Sequence, residues 1–418
     1  MSKNIPQRDI KHKSLIRLTN VSMLRSFRHS EFRHMWFSML AMMSGLQMAW
    51  VAQGYLAYDL SDSASVLGLI YGVQALPMLL FPLFAGVAAD RFGRRTIIQI
   101  GQIMAATIAL LIAISIYTEV IVWQHLLGMG VVHGIVLAFS MTARQAATPD
   151  LVPKADLENA VALNGALLSI TTAAAPGIGG VLYAVAGPWV VFAVIACLGV
   201  ISVALTSKLT PLTPPKQLHP AVVQEIHAGL KHINRLPSLK IVIIMSLITA
   251  SLIMPFRFVL PVFVVDVYQK GPAALGLMMT LMGVGAFLGS LILAVKRDGN
   301  RGILLLMISA LSGIVLLVIV LIPNYAVGLL LIALLGITDA GRRIPIQGLI
   351  MKLSEPQYRG RVMSLYMMTF GIVNLMVLPV GFATEHLGGQ WVIGFMAVLL
   401  IAVSTLLTLT KNPLKSLQ

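Results

Sequence analysis

The chain has 418 residues, of which 58% are hydrophobic and only 11% are charged. Soluble globular proteins carry about 25% charged residues, so this composition excludes a soluble enzyme or binding domain and indicates an integral membrane protein. The formal net charge of +15 would suggest nucleic-acid binding in a soluble protein, but here it indicates loops against an anionic lipid surface. The single cysteine, Cys197, lies in an apolar run, which excludes an internal disulfide and a thiolate metal site.

Residues 1–34 form a polar, basic segment before the first apolar run. The segment lacks the apolar core of a cleavable signal peptide. Apolar side chains among its arginines predict an amphipathic helix on the membrane surface; they are Leu15, Leu18, Leu24 and Phe27. A disordered basic tail is the alternative for residues 1–13.

Twelve apolar runs with few charges follow along the chain. A helix needs roughly 20 apolar residues to cross a bilayer, and each run approaches or exceeds that length. We therefore predict an all-α integral membrane protein with twelve transmembrane helices. The predicted spans are residues 35–58, 66–89, 96–117, 120–142, 157–185, 189–206, 241–265, 274–295, 302–322, 325–344, 362–384 and 390–409.

The loops between these spans alternate in charge. One set is basic and comprises residues 90–95, 144–158, 208–240, 296–301 and 342–361. The other set has Lys270 as its only lysine or arginine and carries the acids Asp59, Asp62, Glu119, Asp266 and Glu385. Because basic loops stay on the cytoplasmic side of a membrane, the sequence places both termini and the basic set in the cytoplasm.

The longest loop divides the chain into two halves of six spans each. It opens with prolines, which cannot continue a helix, and then shows the spacing of a short amphipathic helix. Gln145 and Leu151 in the first half recur as Gln347 and Leu353 in the second, which indicates a repeat. The predicted domains are an N-terminal segment (1–34), a first six-helix bundle (35–206), a linker (207–238), a second six-helix bundle (239–410) and a tail (411–418).

A polar run joins the second and third spans. Its residues are Gly86, Asp90, Arg91, Gly93, Arg94 and Arg95, spaced as G-x-x-x-D-R-x-G-R-R. A basic loop also arises simply as a topology signal, which is one interpretation of this run. The narrower pattern resembles the motif between helices two and three of the major facilitator superfamily. That resemblance implies two pseudo-symmetric six-helix bundles with a substrate site between them.

A second motif lies in the fifth span, at residues 174–180. It resembles the proline–glycine antiporter motif through Pro176, Gly179 and Gly180, with Ala175 where glycine is usual. Small residues and proline in a membrane helix also serve ordinary helix packing, so both interpretations stay open. Together with residues 32–36, 143–153 and 225–230, these motifs resemble the branch that contains enterobactin exporters and macrolide efflux proteins.

The resemblance implies particular contacts. In the superfamily, the motif aspartate caps the start of helix eleven in the outward-facing state, and a motif arginine pairs with an acid after helix four. Here Asp90 would cap the helix that begins near Val362, and Arg94 would pair with Asp150; both contacts would hold a cytoplasmic gate shut. Drug antiporters commonly carry an arginine within helix four, whereas this chain has Gly130 there. This chain therefore departs from the usual arginine-based route of proton coupling.

Two residues are candidates for proton coupling. Asp339 is the only one of the 15 acids that lies clearly inside a predicted span, where an ionised carboxylate is costly. A helix-surface ion pair is the alternative, because Arg342 and Arg343 follow at positions i+3 and i+4. His133 can titrate near neutral pH, although a lone histidine in a helix also serves as a hydrogen-bonded core residue.

Polar residues inside the spans are candidates for the substrate cavity: Gln47, Trp50, Gln53, Arg257 and Asn374. Amide side chains in lipid need hydrogen-bond partners, so they should face inward, toward substrate or another helix. Arg257 lies between Pro255 and Pro261. It would either bind an anionic substrate group or extend outward to the interface.

The sequence favours a secondary active transporter over an enzyme or receptor, since we find no catalytic arrangement, metal site or phosphate-binding loop. We predict proton-coupled efflux of an amphiphilic small molecule, such as a siderophore or drug, by alternating access. A carrier for another cargo or direction, such as lysolipid or nutrient uptake, is the alternative. The predicted setting is a bacterial inner membrane, with a monomer that contacts substrate, protons and lipid, without cofactor or nucleic acid.

Overall fold

A computed structural model describes residues 24–81, 84, 88, 92–210, 222–295, 300–355 and 358–410. Regular structure in these ranges is helical, without a β-strand. The α-helices are α1 (Ser30–Ser61), α2 (Ala64–Leu80), α3 (Arg94–Tyr117), α4 (Trp123–Ala147), α5 (Leu157–Ala186), α6 (Pro188–Thr206), α7 (Val222–Arg235), α8 (Pro237–Val262), α9 (Pro272–Val295), α10 (Arg301–Leu321), α11 (Tyr325–Leu353), α12 (Arg359–Leu375), α13 (Val377–Leu387) and α14 (Gly389–Leu409).

Eleven helical segments of the described chain are long and apolar enough to cross a membrane. One of them joins α8 to a π-helical turn (Phe263–Val267), and another joins α12 to α13. Helix α2 is also apolar, with 17 residues in its described part. These segments fall on the twelve predicted spans. The prediction of an all-helical membrane protein is confirmed, and the count of twelve fits these observations.

Caps and glycine turns set several helix ends. The side chains of Ser63, Asn300 and Asn324 accept hydrogen bonds from backbone N–H groups at the starts of α2, α10 and α11, which satisfies donors that a helix start leaves unpaired. Gly187 between α5 and α6 and Gly388 between α13 and α14 both have φ of +85°, a conformation that favours glycine. Equivalent turns before the sixth and twelfth spans support the predicted repeat.

Two helices continue where the sequence predicted loops. Helix α4 extends through Arg144, which is only 4% exposed and directs its guanidinium at the sulfur atoms of Met35 and Met42. Helix α11 continues through Arg342 as far as Leu353. The predictions that basic loops begin at residues 144 and 342 are therefore wrong. The prediction ended both spans near a charged residue. Both arginines, however, are buried against neighbouring helices, so the helices continue through them.

The predicted amphipathic linker helix is present as α7, which packs against the start of α12. Ile233 is buried, and the ring of His232 stacks on Tyr358 with centroids 4.3 Å apart. The other predicted surface helix falls mostly in residues 1–23, outside the described residues. The exact domain boundaries stay predictions.

The helices pack as two groups. Within the first group, α1 contacts α5 and α6, α2 contacts α4, and α3 contacts α4 and α6. Within the second, α11 contacts α8, α9 and α10, while α14 contacts α8 and α10. The main contacts between the groups are α5 with α9, and α2 with α12 and α13. These pairings join the fifth span to the eighth and the second to the eleventh, as the predicted pseudo-symmetry requires.

The predicted orientation can be tested with single cysteines at Ser63 and Gln217, in a Cys197→Ser background because Cys197 is exposed. Ser63 precedes α2, and Gln217 lies in the linker, outside the described residues. A membrane-impermeant maleimide added to intact cells is expected to label position 63 only. Position 217 should react after permeabilisation. Labelling of both positions from outside would contradict the topology.

Candidate functional site at the contact between two helix bundles

Glycines bring α5 and α9 into backbone contact. A Cβ added to Gly180 would lie 2.7 Å from the carbonyl oxygen of Pro272 and 2.8 Å from the Cα of Gly276. A Cβ added to Gly276 would lie 2.7 Å from the carbonyl oxygen of Pro176. Side chains at these positions would force the helices apart, since small residues permit close helix approach. The antiporter-like motif of α5 therefore lies in the contact between bundles, and its Gly179 packs on Met48 of α1.

A matching contact joins α2 to α13. A Cβ added to Gly68 would lie 2.9 Å from the carbonyl oxygen of Val377, and one added to Gly381 would lie 2.7 Å from that of Ala64. The second half thus supplies Gly381 on its fifth span, as the first half supplies Gly180. The two bundles are joined by two glycine-lined contacts of the same kind.

Both glycine contacts lie toward the acidic end, which we define as the end that carries Asp59, Asp62, Glu119, Asp266 and Glu385. Oε2 of Glu385 accepts hydrogen bonds from Ser63 Oγ at 3.0 Å, Ala64 N at 2.6 Å and Ser65 N at 3.2 Å. Its carboxylate thereby caps the start of α2 across the bundle boundary, where a helix favours negative charge.

A second polar contact crosses the boundary at the same end. The hydroxyl of Tyr58 in α1 donates to Oδ2 of Asp266 at 2.7 Å. Asp266 lies in the π-helical turn Phe263–Val267, a rare geometry that often occurs at functional positions. The glycine contacts and the hydrogen bonds of Glu385 and Tyr58 together close the acidic end.

Arg257 lies between the bundles. Its guanidinium carbon is 4.6 Å from the ring centroid of Trp50 in α1, so the side chain turns across the boundary toward the first bundle. Tyr71 and Asp339 are its electrostatic neighbours, and Tyr71 donates to the carbonyl oxygen of Trp50 at 3.1 Å. The ring of Tyr71 also packs against Phe258, with centroids 4.7 Å apart. Of the two alternatives for Arg257, the structure shows the inward orientation.

Asp339 lies at the midpoint of the 29-residue helix α11. Its Oδ1 accepts a hydrogen bond from Arg342 at 2.7 Å, and Arg342 also donates to Thr249 of α8 at 3.2 Å. The Asp339 side chain is 39% exposed, whereas that of Arg342 is 6% exposed. The predicted ion pair is therefore present, and its carboxylate stays accessible at mid-helix. Whether Asp339 carries protons stays a prediction.

The glutamine candidates bond within the first bundle. Gln47 Nε2 donates to Thr172 of α5 at 2.8 Å, and Gln53 Nε2 donates to the carbonyl oxygen of Leu126 in α4 at 3.0 Å. Both are buried. Of the three α1 candidates, Trp50 is the one whose ring contacts the second bundle.

His133 is 4% exposed inside the first bundle and lines a small cavity with Gln102. Its Nδ1 is buried without a hydrogen-bond partner among the described residues. Asn374 lies near the end of α12, where its Oδ1 is likewise buried and unpaired in the described part of the chain. Their roles in coupling and substrate binding stay predictions.

The described part of the glycine–arginine motif agrees with the implied contacts. Arg94 forms a salt bridge with Asp150, as the resemblance implies. Gly93 has φ of +85° at the start of α3, and Arg95 donates to the carbonyl oxygen of Ser207 at 2.8 Å. Gly86, Asp90 and Arg91 lie outside the described residues, so the helix cap by Asp90 and the gating role of the motif stay predictions.

Sequence reasoning missed the polar contacts of the acidic end. It placed Glu385 and Asp266 in an acidic loop set, and it gave Tyr58 no role. It also missed a buried cluster in which Gln102 Nε2 donates to the side-chain oxygens of Ser38, Ser202 and Thr206 at 2.7–3.0 Å. A signal existed for the cluster, since hydroxyl groups inside apolar spans need partners.

A family model described as transmembrane secretion effector matches residues 21–417. The chain belongs to the transmembrane secretion effector family. The multidrug efflux pump Tap of Mycolicibacterium fortuitum is 28% identical to this family member over 343 residues, which cover 78% of this chain and 82% of Tap. The enterobactin exporter EntS of Shigella boydii serotype 4 is 24% identical over 400 residues, which cover 92% of this chain and 94% of EntS.

A crystal structure of a single-residue variant of the nucleoside transporter NupG has a TM-score of 0.75 and 14% identity, and the match covers 90% of this chain and 99% of that chain. At this identity the likeness concerns the fold. This transmembrane secretion effector family member is therefore a major facilitator transporter, a multi-pass membrane protein with a small-molecule substrate, and it is not an enzyme. The resemblance predicted from the motifs is confirmed.

Proposed function

We propose that this transporter exports an amphiphilic small molecule from a bacterial cell by proton-coupled alternating access. The observation that carries the proposal is the closure of the acidic end by two glycine contacts and by the hydrogen bonds of Glu385 and Tyr58. With the predicted orientation, in which basic loops are cytoplasmic, this end faces outward. An exporter needs its outer end closed while it takes up cargo from the cell.

Alternating access requires the acidic-end contacts to break while contacts at the opposite end form. The glycine contacts suit this change, because they hold helix backbones together without interlocked side chains. The motif that contains Asp90 would supply the opposite contact by capping α12, and the Arg94–Asp150 pair would position its loop. The names of the relatives Tap and EntS support the outward direction of transport.

The coupling proton would be carried by Asp339, since its carboxylate is accessible at mid-helix beside a buried arginine. A carboxylate at this depth is costly unless it is paired, so protonation and re-pairing with Arg342 can be linked to the conformational change. His133 is the second candidate. The substrate cavity would lie between the bundles at the depth of Arg257 and Trp50, with Gln47, Gln53 and Asn374 as further candidates.

Counterflow in proteoliposomes tests the proposal. Purified protein, as a monomer in the bilayer, would be screened against siderophores, macrolides and lysolipids with and without a pH gradient. We expect one amphiphile class to accumulate against its gradient when protons flow the opposite way, and a protonophore should abolish this accumulation. Equal exchange with and without the pH gradient would instead support a carrier without proton coupling, and uptake of a nutrient would contradict export.

A further inference from the structure

Arginines outnumber acids in the middle of the described helices. Away from the helix ends, the second bundle carries Arg257, Arg342, Arg343 and one acid, Asp339. The carboxylate of Asp339 bonds to Arg342, and Arg343 is exposed. Among these three described arginines, Arg257 is the partly buried one without a bonded acid. A charge at this depth is costly unless an anion or a water-filled cavity compensates it.

The hydrogen-bonding capacity of Arg257 is also unused. A guanidinium has five N–H donors, and no described residue accepts a hydrogen bond from this side chain; its buried Nε has no partner. The contact with Trp50 is a cation–π interaction, which offers the ring face and leaves the N–H edge free. The edge of a guanidinium matches the two oxygens of a carboxylate or another planar anion.

Aromatic side chains lie next to this edge. Trp50 stacks on Arg257, and Tyr71 is tied to the Trp50 backbone and packs on Phe258. An apolar ring system can pack on these side chains while an acidic group pairs with the guanidinium. A cationic amphiphile would place like charges together, which disfavours binding.

We propose that Arg257 and Trp50 form a subsite for the acidic group of an anionic amphiphile, such as a carboxylate. The subsite makes the transporter select anionic over cationic cargo. This inference rests on the proposed export function for the identity of its ligand as cargo. It also names the substrate class of the cavity between the bundles.

Three dansyl compounds of nearly equal size test the subsite: dansylglycine (anionic), dansylglycinamide (neutral) and N-(2-aminoethyl)dansylamide (cationic). Binding to the full-length protein in phosphatidylcholine nanodiscs is measured by energy transfer from tryptophan to dansyl, with empty nanodiscs subtracted. We expect dansylglycine to bind about 10-fold more tightly than the amide, as a charge-assisted contact predicts. The cationic compound should bind most weakly.

Arg257→Gln should reduce dansylglycine affinity about 10-fold, to that of the amide, and leave amide affinity unchanged. Arg257→Lys should keep part of the preference. Arg343→Gln is the matched control, because it removes one exposed positive charge from the same region of the bundle. An equal loss in that control, a preference that survives Arg257→Gln, or no charge preference in the wild type would overturn the proposal.

Displacement of dansylglycine by lysophosphatidylglycerol, but not by lysophosphatidylcholine, would support the same anion subsite with a lipid headgroup as its occupant. Displacement by neither would support a soluble anionic amphiphile. Binding is measured without a pH gradient, so a result against the subsite can be told apart from a result against the export function. Anion preference without driven transport contradicts the export function alone, whereas driven transport without anion preference contradicts the subsite alone.

Discussion

Replacing Glu385 with glutamine will loosen the acidic end and let the two bundles separate there more often. The wild-type carboxylate accepts three hydrogen bonds at the start of α2, two of them from the backbone N–H groups of Ala64 and Ser65. Glutamine keeps the size but removes the negative charge that a helix start favours. The contact should weaken by about 1–2 kcal/mol, which shifts the conformational equilibrium roughly 5- to 30-fold.

Spin labels at Val185 and Leu321 report this shift, because both positions are highly exposed at the acidic ends of α5 and α10. Double electron–electron resonance should show a larger long-distance population in Glu385→Gln than in the wild type. Glu119→Gln is the control, since it neutralises an exposed acid at the same end for which the structure records no side-chain bond. Identical distance distributions in all three proteins would exclude Glu385 from the closure.

Tyr58→Phe removes the hydrogen bond that Tyr58 donates across the boundary to Asp266. The two contacts share no partner, so their effects on the equilibrium should add in the double variant. If the acidic end opens no further in the double variant than in Glu385→Gln, the hydrogen bond of Tyr58 does not stabilise the closed state. With either outcome, transport should slow if the return of the acidic end to its closed state becomes the rate-limiting step.

The broad fold could be predicted because bilayer thickness imposes a helix length and because charge is excluded from lipid. The apolar runs therefore located the eleven long apolar segments of the described chain and the shorter apolar helix α2. Helix ends were less predictable, because the sequence prediction ended a span where charged residues began. Arg144 shows that a helix continues through arginine when a neighbouring helix supplies methionine sulfur atoms. Arg342 shows the same where a carboxylate of its own helix and a threonine hydroxyl of a neighbouring helix accept its hydrogen bonds.

The contacts of the candidate site were likewise only partly predictable from the sequence. The pairing of Arg94 with Asp150 followed from the motif resemblance, whereas the contact of Glu385 with Ser63 did not. These two residues are 322 positions apart, and each lies at the edge of a predicted span, in a stretch of ordinary composition. The contact exists only because Gly68 and Gly381 bring α2 and α13 together. Likewise, sequence spacing put Gln47, Trp50 and Gln53 on one face, but only packing shows which of them contacts the second bundle.

Replacing Asp339 with asparagine is expected to abolish gradient-driven accumulation and to destabilise the protein. The change leaves the buried guanidinium of Arg342 without its carboxylate. Breaking a fully buried pair costs about 3–5 kcal/mol, and the partial exposure of Asp339 reduces this to roughly 1–3 kcal/mol. Thermal unfolding in detergent measures the loss of stability, and proteoliposomes report accumulation and equal-concentration exchange separately.

The double variant Asp339→Asn, Arg342→Gln separates coupling from anchoring. It removes both charges, so it should recover much of the stability that the single change loses. If Asp339 carries the proton, the stable double variant will still exchange substrate at equal concentrations but will not accumulate it. If the pair is only an anchor, accumulation and exchange will recover together. Proton-driven accumulation in a stable variant without Asp339 would contradict the coupling role, and His133, buried in the other bundle, would become the residue to replace.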